Sequence, residues 1–152
     1  MISLTNLEFE TILADQSKTI QGDLEWSEDE DHSPAVEFRA DVETEAGYPL
    51  IVLGRYNPLA VTLSYTILHR GVGRIYALDM GKDHHNPGGE RIGDMHKHKY
   101  REDLRDKEAY FPEDIVAPVN DPVAVWRQFC AEAGIVHLGK LANPPPVQEE
   151  LF

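Results

Sequence analysis

Segments in which apolar and charged residues alternate recur along most of this chain, and they constrain its fold more than any other feature. Between 36 and 42 every second residue is apolar, and the residues between them are charged. Successive side chains of a strand point to opposite faces, so this pattern predicts a half-buried strand. Further strand-like segments lie at 19–26, 50–56, 60–69, 74–80 and 91–100. Connections that contain Gly, Pro or Asn separate most of them and predict antiparallel neighbours.

Helix signals frame the strand region on both sides. The capping-box sequence Thr5-Asn-Leu-Glu8 predicts a helix over 6–17. After the strands, 102–110 has helical composition. Asn120-Asp121-Pro122 then supplies an N-cap and a first-turn proline, and Gly134 predicts the end of that helix.

Together these segments predict a single α+β domain over 1–142 with a largely antiparallel meander sheet. The sheet is expected to have about five or six strands, with one helix before it and helices after it. A Pro-rich acidic tail follows at 143–152, where three consecutive prolines favour an extended, exposed chain.

The charge of the chain is strongly negative and unevenly distributed. The formal net charge is −13, and residues 1–45 carry thirteen acidic groups against two basic ones. Residues 70–107 are instead slightly basic, with nine Lys and Arg against seven Asp and Glu. The overall charge argues against a general DNA binder. A single cysteine, no long apolar run and no signal-like start predict a cytoplasmic protein without a membrane span.

Four of the seven histidines lie within the basic stretch. They are His84, His85, His96 and His98. Neutral imidazole is a common metal ligand, and histidine is the usual proton carrier near pH 7. Any chemistry performed by this chain is therefore expected in this part of the sequence.

The spacing of these histidines predicts a partial geometry. If 74–80 and 91–100 pair as a hairpin around Pro87-Gly88, Asp79 lies opposite His96 and Ala77 opposite His98. Directly opposite residues share a face, so Asp79, His96 and His98 are expected to converge. His84 and His85 fall in a predicted loop at 81–89. At roughly 3.3 Å per residue, a straight strand would separate them from His96 by more than 30 Å unless the loop folds back.

Two hydrolytic mechanisms fit these residues. In the first, Asp79, His96 and His98 bind one divalent transition metal such as zinc, which activates a water. In the second, no metal is involved: one histidine takes the proton of a 2′-hydroxyl and another protonates the leaving oxygen. Lys97, Lys99 or Arg101 would then hold the phosphate and stabilise the developing charge.

Two further interpretations remain open. His96-x-His98-x-x-x-Glu102 resembles the metal-binding core of the cupins, although the glycines that bracket that motif are misplaced and no second histidine motif follows. Alternatively, the histidines are architectural: Asp83 to Gly89 is a polar turn, and His96 and His98 brace a face of the sheet.

Short motifs between 56 and 107 also resemble a family of small bacterial proteins of unknown function. The motifs are Tyr56-Asn-Pro, Leu63-Ser-Tyr, His69-Arg, Gly73-Arg-Ile-Tyr-Ala-Leu-Asp, Asp83-His-His-Asn-Pro, His96-Lys-His and Arg105-Asp-Lys. The resemblance implies a bacterial cytoplasmic protein and carries no assigned activity or catalytic residues.

The function favoured by these observations is a small phosphodiester-directed, RNase-like hydrolase. Its catalytic residues would come from His84, His85, His96, His98, Lys97 and Arg101, and its partner would be RNA. The alternative is a non-catalytic acidic protein of the immunity, antitoxin or inhibitor type, whose acidic residues 1–45 bind a basic protein partner. A third alternative is a protein that binds metal without catalysis.

Overall fold

The computed structural model of the chain describes residues 4–85, 91–99, 109–110 and 115–146, with side chains left undescribed at 82–85, 91–98 and 109–110. Two helices are present in these ranges, α1 (Asn6–Ala14) and α2 (Pro122–Ala133), together with a short 3-10 helix at Glu30–His32. The strands are β1 (Thr19–Gln21), β2 (Ser27–Glu28), β3 (Val36–Val42), β4 (Leu50–Asn57), β5 (Thr62–His69), β6 (Gly73–His85), β7 (Arg91–Lys99), β8 (Ala109–Tyr110) and β9 (Val136–Leu138).

Strands β2 to β8 form one antiparallel sheet in chain order, which is the meander that the sequence predicts. In the described ranges this sheet has seven strands, because the short β2 and β8 extend it at its two edges. The prediction of an α+β domain with a helix before the sheet and a helix after it is confirmed. Neither described helix is long and apolar enough to cross a membrane.

Helix α2 covers one face of the sheet, here called the inner face. The aromatic ring of Tyr65 lies at its centre, 5.0 Å from Trp126 and 5.6 Å from Phe129 between ring centroids. The buried Tyr65 hydroxyl donates to the carbonyl of Pro122 across 2.6 Å. Gly54 is required in this layer, because a Cβ at that position would overlap the ring of Phe38. Large aromatic side chains thus join the sheet to the first turn of the helix.

Both helices begin as their sequences predict. The Thr5 hydroxyl accepts from the Glu8 N–H at 3.0 Å, and the Glu8 carboxylate accepts from the Thr5 N–H at 3.1 Å, which completes the capping box. Asp121 caps α2 by accepting from the Ala124 N–H, and Gly134 ends that helix in the left-handed conformation.

Helix α1 ends three residues before the predicted Ser17, because Lys18 satisfies its last carbonyl groups. The Lys18 side chain is only 1% exposed. Its ammonium donates to the carbonyls of Ile12, Leu13 and Asp15 at 2.8, 2.6 and 2.8 Å. These bonds use all three ammonium protons, and the charge lies at the negative end of the helix dipole.

The predicted strand at 19–26 is interrupted after Gln21. Gly22 turns the backbone with a φ of +83°, Leu24 forms a single parallel bridge with Leu141, and β2 begins inside the segment predicted as a charged loop. Strand β1 instead pairs in parallel with β9, a strand that the sequence did not predict. Partners that lie more than a hundred residues apart leave no local signal in the sequence.

Two predictions on either side of β7 also need correction. The loop predicted at 81–89 begins too early, because residues 81–85 continue β6 as a strand that pairs with β7. The helix predicted at 102–110 is wrong at Ala109 and Tyr110, which form β8. The rest of that helix, 102–108, lies outside the described residues, as does 147–152 of the predicted tail. Cross-strand pairing has overridden local helical composition at β8.

Candidate functional site

The face of the sheet opposite α2, here called the outer face, brings polar residues from five strands together. Two parallel rows of direct register partners cross it. The Asp79 row consists of Glu37, Arg55, Ser64, Asp79 and His96. The Ala77 row consists of Arg39, Leu53, Thr66, Ala77 and His98. Neighbouring positions in a row are about 4.8 Å apart, so each row is a continuous line of side-chain positions.

The strand register agrees with the hairpin predicted from the sequence. Asp79 is the register partner of His96, and Ala77 is that of His98. The two histidines therefore occupy neighbouring positions of one face of β7. Their side chains are outside the described part of the structure, so their role as catalytic groups or metal ligands stays a prediction.

The two other histidines lie closer to this pair than the sequence suggests. His84 pairs with Gly93, and His85 pairs with Arg91. Because Gly93 precedes His96 by three residues, His84 is offset from His96 by about 10 Å along the hairpin. The expectation that His84 and His85 lie more than 30 Å from His96 is wrong. Residues 81–85 are part of β6 and pair with β7 across the hairpin, rather than forming a loop.

A bulge in β6 produces this arrangement. Met80 pairs with Met95, and the next pair towards the turn is His84 with Gly93. Between these two pairs β6 contains more residues than β7, so β6 bulges. Gly81 begins the bulge with a φ of +85°, and a Cβ there would overlap the carbonyl oxygen of Val61. Both the backbone conformation and the close approach therefore require glycine at this position.

Asp79 is held within the protein by an arginine from its own strand. The Asp79 residue is 8% exposed, and its Oδ2 lies 3.9 Å from Nη1 of Arg74. Burial of a carboxylate is costly unless a positive charge and hydrogen bonds accompany it. A metal bound between Asp79, His96 and His98 would have to compete with Arg74 for this carboxylate.

The predicted phosphate-binding cations have different positions. Lys97 lies between the two histidines of β7 and pairs with Leu78, a residue of the inner-face register. Arg101 lies outside the described residues. Both assignments stay predictions.

The structure also brings together residues that sequence reasoning did not select. A groove of about 570 Å³ lies on the outer face. We call it the Arg39 groove; its polar lining comprises Ser27, Glu37, Arg39, Arg55, Ser64 and Thr66. The alternation of β3 predicts that Glu37 and Arg39 share a face. The sequence contains no signal that Arg55, Ser64 and Thr66 join them, because this depends on the register of three strands.

One ion-pair cluster borders the Arg39 groove. Arg55 Nη1 donates to Asp29 Oδ2 at 2.7 Å and lies 3.4 Å from Glu37 Oε2. The hydrogen bond from Arg55 is the main cause that lowers the pKa of Asp29 below its usual value. Asp29 also accepts from the Asp31 N–H and thereby caps the 3-10 helix. Asp29 is thus an architectural residue that orients Arg55 towards the groove.

A second groove, of about 700 Å³, lies between α2 and the segment 135–143. Its lining includes Trp126, Arg127, His137 and Lys140. Both ring nitrogens of His137 have protein partners, Trp126 and Gly22. This histidine is therefore engaged in the structure of the protein rather than aimed at a ligand.

Among the side chains that the structure describes, no group of three or more His, Cys, Asp or Glu could hold a metal ion. The four histidines of the β6–β7 hairpin are not part of that set. The predicted zinc-type site therefore remains a hypothesis on residues whose side chains are undescribed.

Fold and site together define a small α+β protein with a meander sheet that carries a polar outer face. The chain belongs to a family of unknown function, DUF6978, whose model matches residues 4–135. This span includes both the β6–β7 hairpin and the Arg39 groove. No match was found among curated proteins or among solved structures.

Proposed function

We propose that this protein is a small phosphodiester-directed hydrolase of the RNase type, with its reactive groups on the β6–β7 hairpin. The observation that supports the proposal is the strand register, in which His96 and His98 occupy neighbouring rows of one sheet face opposite Asp79 and Ala77. Residues two apart on a strand are separated by about 6.6 Å, a spacing that allows two imidazoles to approach opposite sides of one phosphate.

The proposed reaction needs two proton transfers. One histidine accepts the proton of the 2′-hydroxyl, whose oxygen attacks the phosphorus. The bond from phosphorus to the 5′-oxygen breaks, and a second histidine protonates that leaving oxygen. His96 and His98 are the first candidates for these roles, and His84 and His85 are the second pair. Arg101 is the candidate to stabilise the negative charge that develops on the phosphate, because Lys97 belongs to the inner-face register, opposite His96 and His98.

Cleavage of single-stranded RNA by His96→Ala and His98→Ala variants tests the proposal. We expect each change to lower kcat by at least about a hundredfold, because general acid–base catalysis typically contributes that much. His32→Ala is the matched control: its side chain is 67% exposed, and it belongs to the acidic loop rather than the hairpin. Failure of the wild-type chain to cleave RNA, or full activity of the double variant, would refute the proposal.

The metal-assisted form of the same reaction is tested in parallel. Metal content is measured by mass spectrometry on untagged protein, before and after dialysis against a chelator. About one equivalent of zinc, lost in Asp79→Asn and in the His96→Ala/His98→Ala variant, would support a site with three protein ligands. Unchanged activity after the metal is removed would favour the metal-free mechanism.

A second candidate function is that of an acidic protein that binds a basic protein partner. It is favoured by three exposed acidic residues, Glu28 at the end of β2 and Glu30 and Asp31 in the 3-10 helix. Asp29 is excluded from this set because it is bonded to Arg55. A partner held by these charges should dissociate as salt rises and should be lost in a Glu28→Lys/Glu30→Lys/Asp31→Lys variant. Retention of the partner by that variant would count against this function.

A further inference from the structure

We propose that the groove between α2 and the segment 135–143, here called the α2 groove, binds an extended segment of a protein partner. The partner segment adds as a strand to the free edge of β9 and carries one acidic residue that meets Arg127. The described residues of this groove include none from the β6–β7 hairpin. The inference therefore goes beyond the proposed function and does not rest on it.

Backbone groups on one side of 136–142 pair with the chain around β1. The Val136 N–H donates to the Lys18 carbonyl at 2.8 Å, and the Ala142 N–H donates to the Leu24 carbonyl at 2.9 Å. The even-numbered residues between them bond to the same side. Because bonding direction alternates along a strand, the odd-numbered residues direct their N–H and C=O groups to the other side.

That other side of 136–142 is a free strand edge. It carries the backbone N–H and C=O groups of His137, Gly139 and Leu141, which have no hydrogen-bond partner in the described part of the chain. A row of unpaired backbone groups on an edge strand is a template for pairing with another extended chain. The same three residues line the α2 groove, so the free edge faces the space that the partner segment would occupy.

Two apolar side chains beside this edge are exposed. Val136 is 51% exposed and Leu138 is 53% exposed. They lie on the face of β9 opposite to the ring of His137, which contacts Trp126. A strand added at the edge would cover part of both side chains, which removes apolar surface from water and favours binding.

Helix α2 forms the opposite wall of the groove. The chain reverses at Gly134, so 135–143 runs back along α2, and the Ile135 N–H donates to the Cys130 carbonyl at 2.9 Å. The space between helix and segment has a volume of about 700 Å³. In strand addition, main-chain hydrogen bonds supply affinity and contacts to alternate side chains supply specificity. Here α2 is the wall that alternate side chains of the partner would contact.

The charges that line the groove select an acidic residue. Arg127 and Lys140 are exposed, and their side chains form no ion pair or hydrogen bond in the residues that the structure describes. Asp121 also lines the groove, where it accepts from the Ala124 N–H. Asp23 lies beside Lys140, because it accepts from the backbone N–H of that residue at 2.9 Å. Arg127 is therefore the cation that we assign to the partner.

The overall charge of the chain favours another protein over a second copy. Pairing of two copies through this edge would bring together two chains of net charge −13, and net charge of this size opposes self-association. A single acidic side chain responds mainly to charges within about 8 Å at physiological ionic strength. One carboxylate at Arg127 is therefore compatible with the acidity of the rest of the chain.

The test uses three peptides of equal length in which valine alternates with threonine. The central threonine is replaced by glutamate in the first peptide, by glutamine in the second and by lysine in the third. Binding to the isotope-labelled protein is followed by NMR titration. We expect the glutamate peptide to bind about two- to fivefold more tightly than the glutamine peptide, as for an exposed ion pair, and the lysine peptide to bind most weakly.

Amide hydrogen exchange shows whether the peptide adds as a strand. The bound glutamate peptide should slow exchange of the His137 and Gly139 amides by at least about tenfold, because a hydrogen-bonded amide exchanges only when its bond opens. The Val136 amide is already bonded to Lys18 and should change little. Two versions of the peptide, N-methylated on one or the other set of alternate residues, are the matched ligands. Only the version that loses the donors facing β9 should fail to bind.

The charge assignment is tested with Arg127→Gln. This variant should bind the glutamate and glutamine peptides equally, while its binding of the glutamine peptide stays at the wild-type level. Arg39→Gln is the matched control, because Arg39 is also exposed but lies on β3, at the outer face. It should retain the wild-type preference for glutamate.

Three results would overturn the proposal. The first is that none of the three peptides protects the His137 and Gly139 amides. The second is equal binding of the glutamate and lysine peptides by the wild-type chain. The third is protection of these amides that rises with protein concentration in the absence of peptide, together with dimer formation in sedimentation, which would assign the edge to a second copy. RNA cleavage, or its absence, leaves each of these outcomes unaffected.

Discussion

Trp126 donates its indole N–H to Nδ1 of His137 across 3.1 Å, and this bond fixes the chemical form of the histidine. An indole N–H can only donate, so Nδ1 must be the acceptor. The other ring nitrogen, Nε2, lies 2.8 Å from the carbonyl oxygen of Gly22, which can only accept. His137 is therefore neutral with its proton on Nε2, and it links α2 to the turn after β1.

Replacing His137 should loosen this link. We expect His137→Phe to lower the free energy of unfolding by about 1 to 3 kcal/mol, since it removes two hydrogen bonds and leaves the Trp126 N–H without its acceptor. Urea unfolding followed by Trp fluorescence measures the change. His32→Phe, at an exposed histidine, is the control and should shift the midpoint little. Equal midpoints for both variants would show that the His137 bonds do not contribute.

Lys18 should be among the least replaceable residues of the chain. In Lys18→Met the carbonyls of Ile12, Leu13 and Asp15 lose their donor inside the protein. We expect a loss of about 3 kcal/mol or more in the free energy of unfolding, because unsatisfied buried polar groups are costly. Lys140→Met, at an exposed lysine, is the matched control. Comparable stability of the two variants would contradict the structural role of Lys18.

The bulge of β6 gives a pair of opposite predictions. Gly81→Ala should destabilise the protein by about 2 kcal/mol or more, because the new Cβ meets the Val61 carbonyl at a backbone φ of +85°. Val61→Gly should instead stabilise it by up to about 1 kcal/mol, since a β-branched residue is strained at a φ of +55°. Thermal unfolding of both variants is the measurement, and shifts of the same sign would contradict the argument.

Cys130 should make the protein less stable at alkaline pH. Burial raises the pKa of its thiol to about 12, while an unfolded cysteine ionises near pH 9. Above pH 9 the unfolded chain releases this proton and the folded protein retains it, so unfolding is favoured as pH rises towards 12. The expected loss is at most about 1.4 kcal/mol per pH unit. Urea unfolding of wild type and Cys130→Ala at pH 8 and pH 10.5 should show a smaller pH effect in the variant.

The accuracy of the sequence-based predictions differs between local and distant features. The alternation of 36–42 and the capping box at Thr5 were confirmed because each depends on neighbouring residues. Strand β9 was missed because its partner, β1, lies at the other end of the chain. Ala109 and Tyr110 lie in a segment of helical composition but form a strand, because pairing with β7 outweighs local propensity there.

The candidate site shows the same division. The pairing of Asp79 with His96 could be predicted, since the two residues belong to consecutive strands of one hairpin. The Arg39 groove could not be, because Arg39, Arg55 and Thr66 come from three strands with independent registers.

The sequence by itself determined helices α1 and α2, the antiparallel meander of β3 to β7 and the concentration of histidines in one hairpin, because hydrophobic period, caps and turn residues act over a few positions. Tertiary structure decided which polar side chains share the outer face, how the β6 bulge shifts His84 towards His96, and how Lys18 closes α1. These features depend on strand register and on burial, which arise only when residues far apart in the chain are packed together.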